Sequence, residues 1–328
     1  MNENSEKTYL IPSRQVSIED TTYCGASCIM CPREKAHHKW EHMSMDMFIR
    51  AVEEAVALDV LSLSMSGFGD CFIDPQLGEK LKYIKTKHPH IKIICSSTCH
   101  LIKGKNLQLL SDYVDTLKIS MYGITKSTYE KVHRGSVKFE DAMENILNIL
   151  ALPKDKRPYM RMAYLILPEN EHELEQWKDF WAPKVDEIVV WLPHNFSGAY
   201  RPAKDVTSED ANKIKSCGRP FAGNYIVRTD GEVSACCFDY NRELIIGDLK
   251  RQSFKEILLG DKLKRLREVH ESCDFANSEF MCKDCDQIRD RSHALVYASD
   301  KKRKIGVIST HPDLICDYND YSPKKETR

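Results

Sequence analysis

Three cysteines near the start of the chain, Cys24, Cys28 and Cys31, lie within eight residues of one another. They follow a segment, Gln15–Glu19, that predicts a strand, so we expect them on a loop at its C-terminal end. Thiolates ligate iron–sulfur clusters, and three thiolates on a four-iron cluster leave one iron open to another ligand. The pattern therefore predicts a catalytic cluster site. Three unrelated cysteines, or a zinc site that uses two of them, are the alternatives.

A second group of four cysteines lies in the C-terminal third. An Asp-Gly pair between apolar segments predicts a hairpin of Tyr225–Arg228 and Glu232–Cys236. The hairpin would bring two cysteines together, and a Cys-x2-Cys pair after the next helix would add two more. Four thiolates complete the ligation of a four-iron cluster, although a structural zinc would use the same set. The predicted ligands are Cys217, Cys236, Cys282 and Cys285.

Composition favours metal or redox chemistry for these thiols. The chain has 328 residues, 13 cysteines and a formal net charge of -1. It contains no apolar run of about 18 residues that would predict a membrane span, and Met1–Lys7 lacks the apolar core of a signal peptide. Secreted disulfides are therefore not expected. The near-neutral charge argues against a nucleic-acid partner, and we expect a cytoplasmic protein without a membrane partner.

Strand-like and helix-like segments alternate six times between roughly residues 10 and 195. This alternation predicts the α/β class, with a parallel sheet and helices outside it, and six units predict a partial (β/α)6 barrel. Reactive groups should collect at the C-terminal ends of the strands. The predicted strands are Gln15–Glu19, Val60–Ser66, Lys92–Ser96, Thr116–Ser120, Arg161–Ile166 and Glu187–Leu192. The predicted helices are Met45–Leu58, Pro75–Lys87, Lys105–Ser111, Thr125–His133, Phe139–Leu152 and Glu171–Trp181.

The alternation stops near residue 200, and the rest of the chain predicts a small second domain. One helix is expected there, over Ser253–Glu271. The region has too little apolar material for a large core, so a metal site would add stability. The predicted divisions are an N-terminal extension (1–13), the barrel (14–200), an auxiliary-cluster domain (201–300) and a C-terminal tail (301–328).

The Cys-x3-Cys-x2-Cys loop after a first strand resembles the signature of the radical S-adenosyl-L-methionine (SAM) superfamily. Similar strand-end motifs follow in order. Ser66–Asp70 resembles the glycine-rich motif that holds the SAM amino group, with Asp70 in place of the more usual Glu. After the third strand, Cys99 and His100 replace the Asn and Gly of a turn that is frequent in the family. The resemblance covers roughly residues 14–195, and it implies that SAM contacts Gly67, Gly69, Asp70, Ser96, Ser97 and Ser120.

In that family the open iron chelates SAM, and reductive cleavage of SAM yields a 5'-deoxyadenosyl radical that abstracts a hydrogen atom. The four C-terminal cysteines resemble a twitch domain, a truncated SPASM domain, because only Cys316 lies further downstream. Their spacings are similar to those of the radical SAM dehydrogenases of 2-deoxystreptamine biosynthesis, such as 2-deoxy-scyllo-inosamine dehydrogenase. The resemblance implies SAM, two 4Fe–4S clusters and a reducing partner such as flavodoxin or ferredoxin.

Four further residues are candidates for the reaction itself. Cys237 and Cys273 are left over in the second domain, and one of them would donate a hydrogen atom if the enzyme resembles sugar epimerases; inert buried thiols are the alternative. If Cys236 lies on a strand, Cys237 should point to the opposite face. Cys99 is a weaker donor candidate. Arg201, on a loop that should cover the barrel mouth, is a candidate for orienting a substrate alcohol.

These features predict hydrogen-atom abstraction from a hydroxyl-bearing carbon of a sugar, aminocyclitol or nucleoside. The auxiliary cluster would accept an electron and leave a ketone. Epimerisation with a cysteine hydrogen-atom donor is one alternative. Modification of a ribosomal peptide is another, although the 23 residues before Cys24 are fewer than a peptide-recognition domain needs. A cluster-stabilised binding module without catalysis is the non-enzymatic alternative.

Overall fold

The computed structural model describes residues 9–37, 39–202, 214–288, 295–300 and 305–307. The described residues form one mixed sheet of eleven strands. Six of these strands lie side by side in chain order and are all parallel, which confirms the predicted partial α/β barrel. They are β1 (Gln15–Ile18), β2 (Ser62–Met65), β3 (Lys92–Ser97), β4 (Thr116–Ser120), β5 (Tyr159–Leu165) and β6 (Glu187–Trp191).

Six helices connect these strands at the positions that the sequence predicts, one between successive strands except for two between β4 and β5. Side-chain caps set the start of two of them: Ser44 Oγ accepts from the Met47 N–H (3.3 Å), and Thr125 Oγ1 accepts from the Thr128 N–H (3.4 Å). None of the helices in the described ranges is both long and apolar enough to span a bilayer. The helices are α1 (Met45–Val56), α2 (Leu77–Lys87), α3 (Lys105–Tyr113), α4 (Lys126–Val132), α5 (Phe139–Leu150) and α6 (Leu174–Trp181).

The six parallel strands have one apolar face and one polar face. On β4, Leu117 and Ile119 are fully buried in the main hydrophobic core, whereas Lys118 on the other face is only partly buried. We call this second face the inner face. The strand register places Ser96 and Arg161 on either side of Lys118, and Glu187 beside Arg161. A row of polar and charged residues therefore crosses the inner face.

Further strands extend this sheet at both edges. The predicted hairpin forms from β7 (Ile226–Val227) and β8 (Glu232–Ser234), and β7 pairs in parallel with β1. Three strands were not predicted: β9 (Ile245–Asp248) pairs with β8, β10 (Leu295–Asp300) pairs with β6, and β11 (Ile305–Val307) pairs with β10. The predicted domain boundaries stay a prediction, and residues 308–328 of the predicted tail lie outside the described residues.

The single helix predicted over Ser253–Glu271 was wrong. After a short helix α7 (Arg219–Ala222), the chain forms two helices, α8 (Phe254–Leu259) and α9 (Asp261–Ser272). Gly260 separates α8 from α9 with an extended backbone, φ -76° and ψ 160°. Glycine is a poor helix former, which accounts for the break. The helical spacing of apolar residues continues on both sides of Gly260, so the sequence pattern predicts one helix instead of two.

Lys80 is a buried cation that joins α2 to the region after β1. Its Nζ donates to Asp74 Oδ2 (2.5 Å) and to the Met43 carbonyl (2.7 Å), and its side chain has no exposed surface. The Asp20 carbonyl lies 3.5 Å from the same Nζ. Because every partner is buried, the loss of this ammonium would leave a carboxylate without its counter-charge.

We therefore expect Lys80→Met to lower the stability of the protein by roughly 3–5 kcal/mol, as for one partner removed from a buried ion pair. The matched control is Lys82→Met, because Lys82 is an exposed lysine of the same helix; it should change stability by less than about 0.5 kcal/mol. Thermal unfolding of the anaerobically purified proteins measures the difference, and equal midpoints for the two variants would contradict the assignment.

Candidate active site and auxiliary cluster site

The loop after β1 brings the three N-terminal cysteines together. The thiols of Cys24, Cys28 and Cys31 are partly buried and interact with one another electrostatically. The Cys31 N–H donates to the Cys28 carbonyl (3.0 Å), which tightens the loop. Burial raises the pKa of all three thiols, that of Cys24 to about 11. A strongly positive ligand is needed to hold them as thiolates, and the iron of a cluster supplies that charge.

Arg33 supplies a second positive charge beside these thiols, a role that sequence reasoning missed. Its guanidinium is buried, donates from Nη2 to the Ala26 carbonyl (2.8 Å), and lies 4.4 Å from the centre of the Trp40 ring. It favours the anionic form of all three cysteines. Its Nη1 is buried without a hydrogen-bond partner among the described residues. A cation facing a thiolate-bound cluster fits this arrangement.

Glycines of the strand-end loops allow the close packing of the cluster loop. A Cβ atom at Gly69 would lie 2.1 Å from the Thr21 carbonyl oxygen, and one at Gly67 would lie 2.4 Å from Glu19 Oε1. The Asp70 N–H also donates to the Tyr23 carbonyl (2.9 Å). The glycine-rich loop after β2 is therefore packed directly against the residues that lead into Cys24.

The six residues predicted to contact SAM occupy two different environments. Asp70 and Ser97 are buried and bonded to each other: Asp70 Oδ2 accepts from Ser97 Oγ (2.7 Å), and Asp70 Oδ1 accepts from the Phe72 N–H (3.1 Å). Burial raises the pKa of Asp70. Ser96 and Ser120 lie on the inner face instead, where Ser120 Oγ accepts from Tyr122 OH (3.1 Å). Asp70 and Ser97 thus support the loops, whereas the inner face leaves Ser96 and Ser120 available to a ligand.

The residues present fit SAM at this edge of the sheet. A sulfonium cofactor with an amino group favours a site with carboxylate oxygens, and Glu19 lies beside Gly67 with Oε2 buried and without a hydrogen-bond partner in the described part of the chain. Glu19 was not among the sequence candidates, because it reads as the last residue of a strand. The six predicted SAM contacts stay a prediction.

The second set of cysteines also comes together. Cys217 precedes α7, and Cys236 follows β8. Cys282 lies within a single turn of 3-10 helix (Met281–Asp284), and Cys285 directly follows it. The Cys217 thiol interacts electrostatically with the other three. Burial raises the pKa of Cys285 to about 12, so these thiols also need a metal to exist as thiolates. The donor set fits complete ligation of one four-iron cluster.

No group of three or more His, Cys, Asp or Glu side chains in the described ranges is arranged to hold one metal ion.

Arg219 lies among the C-terminal thiols as Arg33 lies among the first three. The guanidinium is buried, interacts electrostatically with Cys217, Cys236 and Cys285, and lies 4.4 Å from the centre of the Phe238 ring. Sequence reasoning missed it, because an arginine two residues after a cysteine carries no signal of its own.

The C-terminal segment contacts the barrel on two sides. At the end of β1, Arg228 Nη1 lies 3.4 Å from Glu19 Oε1, and both side chains are buried. After β6, the Asn195 N–H donates to Asp286 Oδ2 (2.9 Å), and the Asp286 N–H donates back to Asn195 Oδ1 (3.1 Å). The second cysteine set is therefore held across the inner face.

A cluster of aromatic side chains lies at the interface between the glycine-rich loop and the segment that follows the hairpin. Ring centres are 6.2 Å apart for Phe68 and Phe196, 5.6 Å for Phe196 and Phe238, and 4.1 Å for His194 and Phe238. Burial and the Arg219 charge lower the pKa of His194 to about 3, so its imidazole is neutral. These rings give the interior an apolar wall beside the polar inner face.

The four residues predicted to take part in the reaction lie in different environments. Cys237 is exposed, and the Cys236 thiol and the Arg219 guanidinium lower the pKa of Cys237 to about 6. The expectation that Cys236 and Cys237 point to opposite faces was wrong, because β8 ends at Ser234 and both cysteines lie in the following turn, with their thiols hydrogen bonded. Cys99 is fully buried in the main core.

Cys273 and Arg201 lie on two other segments of the chain. Cys273 ends α9 in a left-handed conformation, with its Sγ 3.6 Å from the His270 carbonyl. Arg201 is exposed after the loop that follows β6, and it adjoins residues 203–213, which lie outside the described residues. Among the described interactions of these four residues, only that of Cys237 reaches a residue of the inner face, Lys118. The catalytic roles stay predictions.

Comparisons with known proteins agree with this geometry. The model of the radical SAM superfamily matches residues 18–180, and that of SPASM, an iron–sulfur cluster-binding domain, matches residues 217–286. The chain belongs to the radical SAM superfamily. This radical SAM protein therefore uses SAM and iron–sulfur clusters as cofactors, with auxiliary cluster binding in its SPASM domain. No curated protein matches the sequence.

Several solved structures share the fold at low sequence identity. BtrN in complex with AdoMet and 2-DOIA has a TM-score of 0.56 at 18% identity, over 85% of this chain and 93% of that one. Streptococcus suis SuiB bound to precursor peptide SuiA has a TM-score of 0.63 at 13% identity, over 84% and 70% of the two chains. The enzyme anSMEcpe with bound AdoMet and Cp18Cys peptide has a TM-score of 0.60 at 15% identity, over 86% and 91%.

The ligand assignment predicts the iron content of cysteine variants. Anaerobically prepared protein should hold about eight irons, and replacement of Cys24, Cys28 and Cys31 by alanine should leave about four. Replacement of the four C-terminal cysteines should also leave about four. Iron and acid-labile sulfide analysis measures both. A wild type with about four irons and bound zinc would contradict the second assignment.

Gly69→Ala should selectively empty the N-terminal cluster site, because its Cβ would meet the Thr21 carbonyl at 2.1 Å and displace the loop that leads into Cys24. We expect a loss of about four irons and of SAM binding, with the auxiliary iron retained. Gly78→Ala is the control: this helical glycine faces only the flexible Leu109 side chain, 3.1 Å away. Equal iron contents in the two variants would show that the close packing at Gly69 is dispensable.

Proposed function

We propose that this enzyme oxidises a hydroxyl-bearing carbon of a small molecule, a sugar or aminocyclitol, to a ketone. The observation that carries the proposal is the second, four-thiol cysteine set held across the inner face. A carbinol oxidation removes one hydrogen atom, one proton and one electron, and so needs both a radical source and an electron acceptor. SAM on the open iron supplies the radical, and an auxiliary cluster on Cys217, Cys236, Cys282 and Cys285 supplies the acceptor.

The residues of this chain would position the reactants. Ser96 and Ser120 offer hydroxyls on the inner face. The aromatic cluster of Phe68, Phe196 and Phe238 would exclude water from the space between the two cysteine sets. Arg219 favours negative charge on the auxiliary thiolates and hence stabilises the site when it receives an electron. The fold shared with BtrN, solved with AdoMet and 2-DOIA, is consistent with a small-molecule substrate.

Epimerisation is the second candidate, and Cys237 is the observation that favours it. The thiol is accessible, lies beside the auxiliary site, and interacts electrostatically with Lys118 on the inner face. In its protonated form, a thiol in this position would return a hydrogen atom to a substrate radical. Peptide modification is the third candidate, since SuiB and anSMEcpe were solved with peptides.

Alcohols deuterated at the carbinol carbon test the proposal. With the reduced, cluster-loaded enzyme and SAM, the proposed reaction transfers deuterium to 5'-deoxyadenosine and yields a ketone. Replacement of Cys217 by alanine should preserve deuterium transfer and abolish ketone formation, because the radical is still made but its electron has no acceptor. Epimerisation predicts instead a product of unchanged oxidation state that carries hydrogen from solvent. If this product forms, disappears in Cys237→Ser and persists in Cys273→Ser, the enzyme is an epimerase and not a dehydrogenase.

A further inference from the structure

Lys118 is a charged side chain on the inner face that the described fold leaves without a partner. It is the central residue of β4, and its strand neighbours on either side are Ser96 and Arg161. Among the described residues, its ammonium makes no hydrogen bond and no ion pair. A buried or half-buried ammonium is normally paired, because transfer of an unpaired charge out of water is costly. Lys118 therefore has no hydrogen-bonded counter-ion among the described residues.

The charges around Lys118 do not supply such a counter-ion. Glu187 is the carboxylate of this row, and its Oε2 accepts from Arg161 Nε (2.5 Å) and from Tyr159 OH (3.3 Å). Glu187 thus interacts with two cations, and it is hydrogen bonded to Arg161 and not to Lys118. The remaining acidic group that interacts electrostatically with Lys118 is the Cys237 thiol, which lies in the turn after β8 and not in this row. The row itself therefore carries two cations, Lys118 and Arg161, and one carboxylate, Glu187.

Lys118 also lies where a substrate must lie. The radical source is expected above β1, at the loop of Cys24, and the electron acceptor at the hairpin. Lys118 lies in the middle of the sheet, two residues before Ser120 on the same face, and it interacts electrostatically with Cys237 in the turn after β8. A ligand that reaches both the SAM site and the auxiliary site consequently passes the ammonium.

We propose that Lys118 binds an anionic group of the substrate, a carboxylate or a phosphate, so that the enzyme acts on an acidic alcohol rather than on an aminocyclitol. This inference rests on the proposed function for the alcohol and on the inner-face geometry for the charge. Burial, with Arg161 beside it, lowers the pKa of Lys118 to about 8, so the side chain is still mostly protonated at neutral pH. A cationic amino sugar would meet two like charges in this row.

Minimal anions test the proposal without knowledge of the full substrate. The cluster-loaded, SAM-bound enzyme is titrated with inorganic phosphate and with acetate at constant ionic strength in chloride, and binding is measured by calorimetry and by the thermal midpoint. We expect at least one anion to bind the wild type and Lys118→Arg, and to bind Lys118→Met at least about tenfold more weakly, as for a lost hydrogen bond to a charged group. The stronger anion identifies carboxylate or phosphate.

Lys154→Met is the matched control, because Lys154 is exposed between α5 and β5; it should bind anions like the wild type. Anion binding that is absent from the wild type, or equal in Lys118→Met, overturns the proposal. A tenfold loss of SAM affinity in Lys118→Met without an effect on either anion would assign the ammonium to the SAM carboxylate and also overturn it. Because no turnover is measured, a failure of the proposed oxidation does not affect this result.

Discussion

The buried pair of Glu19 and Arg228 is the contact on which the arrangement of both sites depends. Glu19 directly follows β1, and its Oε1 accepts from the Phe68 N–H (2.8 Å) in the glycine-rich loop. Arg228 begins the turn of the hairpin and also donates to the Asp239 carbonyl. One carboxylate therefore joins the barrel, the SAM loop and the auxiliary domain. Removal of either partner would leave a buried charge uncompensated at the point where the three meet.

The two cysteine sets share one electrostatic design. Each has a buried guanidinium beside it, Arg33 in the first set and Arg219 in the second, and each guanidinium lies over an aromatic ring, Trp40 or Phe238. The ring holds the cation in place without adding a negative charge that would compete with the thiolates. Such a fixed cation favours the more reduced, more negative state of a nearby cluster.

Much of the fold and the cysteine assignments follows from local sequence. Alternating apolar segments predict all six parallel strands, and the cysteine loop with the strand-end motifs that follow it predicts the superfamily. Glu19 was missed because it reads as the last residue of a predicted strand. Lys118 was missed because its significance comes from register: strand pairing shows that Glu187 accepts a hydrogen bond from Arg161 and not from Lys118. The edge strands β9, β10 and β11 were missed because they are short and pair with distant segments. Cys236 and Cys237 were misread because strand alternation was applied past the end of β8.

The pairing of β7 with β1 has a consequence for how the protein is made. Ser17 pairs with Ile226, so β1 is synthesised well before the strand that covers its outer edge. The hydrogen-bonding groups of that edge stay unpaired until the hairpin docks, and completion of the sheet beside the loop of Cys24 is therefore a late, long-range step of folding.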